Sequence, residues 1–256
     1  MDEFFVRFIL QRMIGVFDDE IFGYEYIMDA PMEEIDGFIN QCKEWQKEQA
    51  RKLKNKMELT ALYNKNVLYI GDSITADRFG YRGITTFAAN TNSYNGAVSG
   101  ATSLDMLRFL KDNIEKSNPE IISIMIGTND SLIICNGKKL VSPDEYRKNI
   151  SEMLRISRQI TDKVIISTLP PANEDAFCKT HDTNLSNLTN DSIDILSEIV
   201  REEAVNYNAF LNDAATILRK CDLNEIVEKD GIHLTKLGQT LFAEEWLKCA
   251  VKMCSR

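Results

Sequence analysis

Two histidines occur in the 256 residues, His181 and His233, and the second closes the segment Asp230-Gly231-Ile232-His233. A carboxylate three residues ahead of an imidazole can orient one ring nitrogen and leave the other free to act as a base. Such a base is what a neutral serine needs before it becomes a useful nucleophile. A serine placed for that role is Ser73, in Gly71-Asp72-Ser73-Ile74-Thr75, directly after the apolar run Val67–Ile70. A serine attacking a carbonyl builds up negative charge on oxygen, which requires donors aimed at that oxygen. Two further segments offer them: Asn95-Gly96-Ala97-Val98-Ser99-Gly100-Ala101-Thr102 and Gly127-Thr128-Asn129-Asp130. The backbone N–H groups of Ser73 and Gly100 and the side-chain amide of Asn129 make three donors. Gly100 suits the task because a Cβ would obstruct close approach of the backbone to a ligand. Asn129 suits it because an amide donates without bringing a charge.

These segments must be held at one edge of a common scaffold, and the chain from Asn66 onward has the pattern for it. The candidate strands are Val67–Ile70, Ala97–Val98 with its flanks, Ile121–Ile126, Val164–Thr168 and Asn208–Leu211. Ile121–Ile126 is almost continuously apolar, as a parallel strand covered on both faces should be. Between them run helical patterns: Leu104, Leu107, Phe109, Leu110 and Ile114; Ser142 to about Ile160, opened by a capping-box pattern with Pro143 at the first helical position; Ile193 to about Val205; and Thr235 to about Lys252. Strand–helix alternation with short connections implies right-handed βαβ units and a doubly wound α/β sheet. Ligands of such sheets sit at the carboxyl ends of the strands, which is where the four segments fall.

Each segment alone has a plainer reading: a helix cap at Asp72 or Ser73, a turn at Asn129, a tight bend at Gly96 and Gly100, a turn into a helix capped by Thr235. Their occurrence in order at four successive element boundaries favours the catalytic one. Together they resemble the sequence blocks of the SGNH hydrolases, the GDSL esterase/lipase family, over roughly Asn66 to the C-terminus. The resemblance implies a flavodoxin-like three-layer α/β/α sandwich with a five-stranded parallel sheet. It implies Ser73 as nucleophile, Asp230 and His233 as the acid and base of a triad, and Ser73, Gly100 and Asn129 as the oxyanion hole. The first block reads GDSI where members often have GDSL, an exchange of aliphatic residues. Gly100 is chosen over Gly96 because it alone precedes the Ala-Thr helix start.

The expected activity is hydrolysis of a short-chain acyl ester, acetyl included, with no cofactor and no metal. The loops Asp77–Asn95, Ile133–Val141 and Pro170–Asn190 that would wall the site are polar, and no long apolar trough is apparent. That favours a small-molecule or carbohydrate ester over the lysophospholipids and acyl thioesters that the family also accepts. Within the loops Tyr81, Arg82, Phe87 and Tyr94 are candidate sugar contacts, with packing the plainer role, and His181 is a surface or rim residue. A nucleotide- or flavin-binding module would carry a G-x-G-x-x-G or P-loop after the first strand, and neither occurs. An α/β-hydrolase would carry a G-x-S-x-G elbow, also missing. A non-catalytic ligand- or carbohydrate-binding module on the same architecture is the reading from a different class.

Composition limits the rest. A net charge of −9 argues against a nucleic-acid partner. The 44% hydrophobic and 27% charged residues are ordinary for a globular chain, and no apolar run reaches the roughly 18 residues of a membrane span. The six cysteines are scattered without a C-x-x-C pair or zinc-finger spacing, which points to reduced thiols and a cytoplasmic location. The opening MDEFFVRFILQRMIGVF is interrupted by Arg7, Gln11 and Arg12, so it reads as an amphipathic helix of the mature protein and not as a secretory signal. Residues 1–40 hold ten acidic and two basic side chains, and residues 41–65 hold seven basic and three acidic. Apolar spacing from Ile35 to Met57 predicts one long helix after Pro31, packed on the main body. The division expected is therefore a helical extension over residues 1–62 and a hydrolase domain over 63–256, with the N-terminal helices the surface a homo-oligomer would use.

Overall fold

A run of apolar residues that is buried at every position belongs in the middle of a sheet, and Ile121–Met125 is buried throughout. The computed structural model describes residues 3, 5–9, 31–134 and 137–255. In chain order its elements are helix α1 (Met32–Lys54), strand β1 (Asn66–Gly71), helices α2 (Ser73–Ala76) and α3 (Tyr81–Ala89), strand β2 (Asn92–Asn95), helix α4 (Ser103–Ser117) and strand β3 (Ile121–Met125). There follow β4 (Ile133–Ile134), β5 (Lys138–Lys139), α5 (Pro143–Ile160), β6 (Val164–Ser167), α6 (Glu174–Thr180), β7 (Ser186–Asn187), α7 (Asn190–Asn206), β8 (Phe210–Asn212), α8 (Ala214–Leu218), α9 (Leu223–Ile226) and α10 (Lys236–Cys254).

The main sheet has five strands in the order β2-β1-β3-β6-β8, every neighbouring pair parallel. Strand order reverses between β1 and β3, so a crevice opens there at the carboxyl ends of the strands. Helices α4, α5 and α7 pack side by side in one layer, and α3 and α10 pack together in another. This is the doubly wound sheet expected from the alternation, and the flavodoxin-like α/β/α sandwich that the family resemblance implies. The two layers meet the sheet largely through apolar side chains, with buried polar links among them: the indole Nε1 of Trp246 on α10 donates to Ser123 Oγ on β3 at 2.9 Å, and the hydroxyls of Tyr69 on β1 and Thr85 on α3 are hydrogen-bonded at 2.8 Å.

The long helix after Pro31 is present as α1. Glu33 and Glu34 sit in its first turn and Arg51, Lys52 and Lys54 in its last, each complementing the helix dipole. Its buried stripe of Ile35, Phe38, Ile39 and Cys42 has the i, i+3, i+4, i+7 spacing of one helix face. That face lies on α3 and on Phe79, whose ring meets Phe38 and Trp45 edge-on at 5.8 and 5.3 Å between centroids. Farther along, Ala50 and Leu53 join the main core.

Three expectations need correction. The strand placed at Ala97–Val98 lies earlier, at Asn92–Asn95. It is an edge strand of polar, half-exposed residues, so no apolar run marks it, whereas Ala97 and Val98 are buried in the loop beyond. The loop regions 77–95 and 170–190 hold helices α3 and α6, and a small antiparallel sheet β5-β4-β7 joins 133–139 to 186–187. Tyr81 is fully buried against Tyr69 and Phe242, so it is a core residue and not a sugar contact. Of the helix expected over the first 17 residues, Phe5–Ile9 forms a π-helical turn; residues 10–17 lie outside the described residues.

Candidate active site

Ser73 is the first residue of α2, set immediately after the β1 strand end. Gly71 makes the abrupt strand-to-helix turn possible, since a Cβ there would stand 2.2 Å from Thr75 Oγ1 and 2.5 Å from the Met125 carbonyl oxygen. Asp72 caps the short helix, accepting from the Ile74 N–H at 3.0 Å. The cap reading of Asp72 thus holds, and it leaves the Ser73 hydroxyl unused by the cap. Burial pushes the Asp72 carboxyl up to about 6, against the opposing pull of the Ile74 N–H and the nearby His233.

His233 lies in the loop between α9 and α10, and its Nε2 is 2.8 Å from Ser73 Oγ. Its Nδ1 is 2.5 Å from Asp230 Oδ2. A carboxylate only accepts, so it selects the tautomer with hydrogen on Nδ1 and a lone pair on Nε2 facing the serine. The other Asp230 oxygen accepts from the N–H groups of Ile232 and His233 at 2.9 and 3.1 Å. Burial acts to raise the Asp230 pKa, but the hydrogen bond and charge of His233 and the two N–H groups outweigh it and hold the carboxyl below its ordinary value. Gly231 gives the loop its sharp turn at φ +79°, where a Cβ would also collide with the Phe177 backbone.

Gly100 is exposed, with φ +77° and open space where a Cβ would stand. Gly96, by contrast, is packed on β1, with Ile70 Cδ1 2.8 Å from the Cβ position. Of the two glycines, Gly100 is thus the one with an open surface. Asn129 follows β3 and donates through Nδ2 to the Ala101 carbonyl at 2.9 Å. An amide carries two hydrogens, so one remains for a second acceptor. Behind it, Asp130 accepts from the Ser103 N–H at 3.0 Å and from the Ser103 hydroxyl, and Asn149 donates to that hydroxyl at 2.9 Å. The Gly100 and Asn129 loops are thereby bound into one unit. His181 stands apart, its ring stacked on Phe177 at 4.1 Å.

Two residues in this neighbourhood were not singled out from sequence. Phe8 stacks on the His233 ring with centroids 4.0 Å apart, and its carbonyl accepts from the Ser99 hydroxyl. Arg7 is bonded to Asp77, Glu228 and the Leu234 carbonyl. The only signal was a cation interrupting an apolar run. Among the described residues, no three His, Cys, Asp or Glu side chains group as a metal site.

The hydrogen-bonded series Ser73–His233–Asp230, at the edge of a flavodoxin-like sheet, is one whose base can take a serine hydroxyl proton. Residues 69–241, more than half of the chain, match the GDSL-like Lipase/Acylhydrolase family, and the chain belongs to it. Among curated proteins, an uncharacterized lipoprotein, YqeF of Bacillus subtilis, is 34% identical over 91 residues. That match spans 35% of this chain and 37% of the relative's length. Among solved structures, LAE5, an alpha/beta hydrolase from the Lake Arreo metagenome, shares the fold with a TM-score of 0.60 and 19% identity, over 76% of this chain and 99% of that one. The acetylxylan esterase Axe2 of Geobacillus stearothermophilus has a TM-score of 0.60 and 19% identity over 75% and 96% of the two chains. The lipase/acylhydrolase of Enterococcus faecalis has 0.60 and 20% over 72% and 94%.

Proposed function

We propose that the protein hydrolyses a short-chain acyl ester, acetyl included, borne on a small molecule or carbohydrate. The observation that carries this reading is the link from Ser73 Oγ through the His233 ring to Asp230, 2.8 and 2.5 Å at its two hydrogen bonds. In this reaction His233 Nε2 takes the Ser73 hydroxyl proton as Oγ bonds to the acyl carbon. The carbonyl oxygen becomes an oxyanion, met by the N–H groups of Ser73 and Gly100 and the free Asn129 amide hydrogen. As the intermediate collapses, the carbon–oxygen bond to the alcohol breaks and His233 returns its proton to the departing oxygen. A water then attacks the acyl-serine with the same base, releasing the carboxylic acid and restoring Ser73. Asp230 stays ionised throughout and balances the transient imidazolium.

The short acyl group is supported by Phe8, whose ring lies against His233 with centroids 4.0 Å apart. The structural neighbour Axe2 is an acetylxylan esterase, which favours a carbohydrate alcohol. A fluorophosphonate probe should label Ser73, and Ser73→Ala should abolish both labelling and turnover. Across acetyl, butyryl and octanoyl p-nitrophenyl esters kcat/KM should fall with chain length. Acetylated xylo-oligosaccharides should be better substrates than lysophospholipid or acyl thioester. Preference for the octanoyl ester or the lysophospholipid would overturn the short-chain reading. Labelling that persists in Ser73→Ala would overturn the nucleophile. A cytoplasmic location belongs to the same proposal and is supported by free thiols at Cys42, Cys178, Cys221, Cys249 and Cys254; recovery of the protein in a membrane or secreted fraction would overturn it.

A further inference from the structure

The two halves of the triad are carried by very different supports. Ser73 opens α2 directly after β1, an interior strand of the sheet, whereas His233 lies in a loop between α9 and α10, closed only by a single Val227–Leu234 bridge. Something has to hold that loop against the serine helix, and the side chain placed between them is Arg7. Its Nε and Nη2 donate to the two carboxylate oxygens of Asp77 at 2.8 and 2.9 Å. Asp77 ends the serine helix, its N–H donating to the Ser73 carbonyl at 2.9 Å. In the other direction Nη1 donates to Glu228 at 2.6 Å and Nη2 to the Leu234 carbonyl at 2.9 Å. Glu228 and Leu234 bracket the histidine loop, and the Glu228 N–H donates to the His233 carbonyl at 2.7 Å.

Only a planar fork with five N–H donors can meet a carboxylate edge-on and reach a second carboxylate and a carbonyl from its remaining hydrogens. The surroundings keep it there. Arg7 is 8% exposed, and its guanidinium lies over the Phe8 and Phe79 rings. Arg78 binds the same segment through the Val6 carbonyl at 3.1 Å. Asp77 is held from its far side by Gln239 at 3.0 Å, and that amide also donates to the Ile74 carbonyl. Phe8, next in the chain, presses its ring on His233.

We propose that the Val6–Phe8 segment is a working part of the catalytic centre, with Arg7 the positioning residue that holds the Ser73 helix and the His233 loop at hydrogen-bonding distance. The inference rests on the hydrolase reading above. Displacing a base from its nucleophile by about 1 Å can cost ~10²-fold in rate, so loss of the clamp should act on kcat and spare substrate binding.

The test uses the full chain with p-nitrophenyl acetate, reading kcat and KM separately together with the rate of Ser73 labelling by a fluorophosphonate. The variants are Arg7→Met, Arg7→Lys and Arg7→Met/Asp77→Asn; the double variant removes the carboxylate charge that Arg7→Met would leave buried. Folding of each is checked by near-ultraviolet circular dichroism and thermal midpoint. Expected are a kcat lower by ~10²-fold in Arg7→Met and in the folded double variant, a comparable loss of labelling rate, and a KM changed by less than about threefold. Arg7→Lys keeps the charge but cannot span both elements, so it should fold and still lose about tenfold or more in kcat; should the Met variants fail to fold, this variant decides. A folded double variant, or Arg7→Lys, with wild-type kcat and labelling rate overturns the inference while wild-type activity leaves the hydrolase reading standing. Wild-type protein that neither labels nor turns over overturns that reading and this inference with it.

Discussion

The side-chain amide of Asn129 donates to the Ala101 carbonyl at 2.9 Å, so the loop after β3 and the loop carrying Gly100 are fastened to each other at the two residues proposed as oxyanion donors. This fixes the rotamer of Asn129 before substrate arrives, which is what a donor meant for a transition-state charge requires. Asn129→Ala should lower kcat by roughly 10²–10³, about 3–4 kcal/mol, with KM nearly unchanged. Steady-state kinetics on p-nitrophenyl acetate check this. A raised KM with kcat intact would make Asn129 a ground-state binding residue.

The two histidines make a clean comparison. His233→Ala should be nearly as damaging as Ser73→Ala, and the double variant no worse than either, because the two act as one unit. A residual rate of about 10³-fold over water should survive from the remaining donors and binding. His181→Ala should leave kcat unchanged, since that ring is committed to Phe177. Equal losses from the two histidine variants would show that the base is misassigned.

Burial pushes the Asp130 carboxyl from 3.8 up to about 6, although the Ser103 hydroxyl and N–H oppose the shift. The folded state therefore keeps a proton that the unfolded chain releases. Its contribution to stability is complete below about pH 4 and is lost as pH rises through about 6. Two pH units correspond to at most about 3 kcal/mol. Urea unfolding of Asp130→Asn should show a flatter stability profile than wild type between pH 4 and 6. An unchanged slope would mean that Asp130 is ionised in the fold. Asp230, held below its ordinary value, acts in the opposite sense and in a lower window, its stabilisation disappearing as pH drops below about 4.

Trp246→Phe removes the indole donor from Ser123 on the central strand. The lost hydrogen bond, in a buried site, should cost about 1–3 kcal/mol, while kcat per folded molecule stays the same. Adding Ser123→Ala should recover part of the loss, because a buried hydroxyl without its partner is worse than none. Full additivity of the two variants by denaturant titration would count against the coupling.

The local pattern of the chain carried most of the architecture. Ile121–Met125 announced a central strand because burial on both faces demands apolar residues throughout, and Thr235 and Pro143 marked helix starts because caps are local chemistry. Ser73, Gly100, Asn129, Asp230 and His233 could be singled out because each sits beside an element boundary in a short, recognisable segment. What pattern could not supply was anything that depends on partners far along the chain. Strand β2 carries no apolar run to mark it, because an edge strand needs none. The core position of Tyr81 has no local signal, because its neighbours Tyr69 and Phe242 are brought to it only by the packing of α3 and α10 on the sheet. Arg7 and Phe8 looked like ordinary members of an amphipathic stretch. Their contacts with Asp77, Glu228 and His233 come into being when the segment is laid across the strand ends, since hydrogen bonds and ring stacking have a reach of a few ångströms in space and none along the sequence.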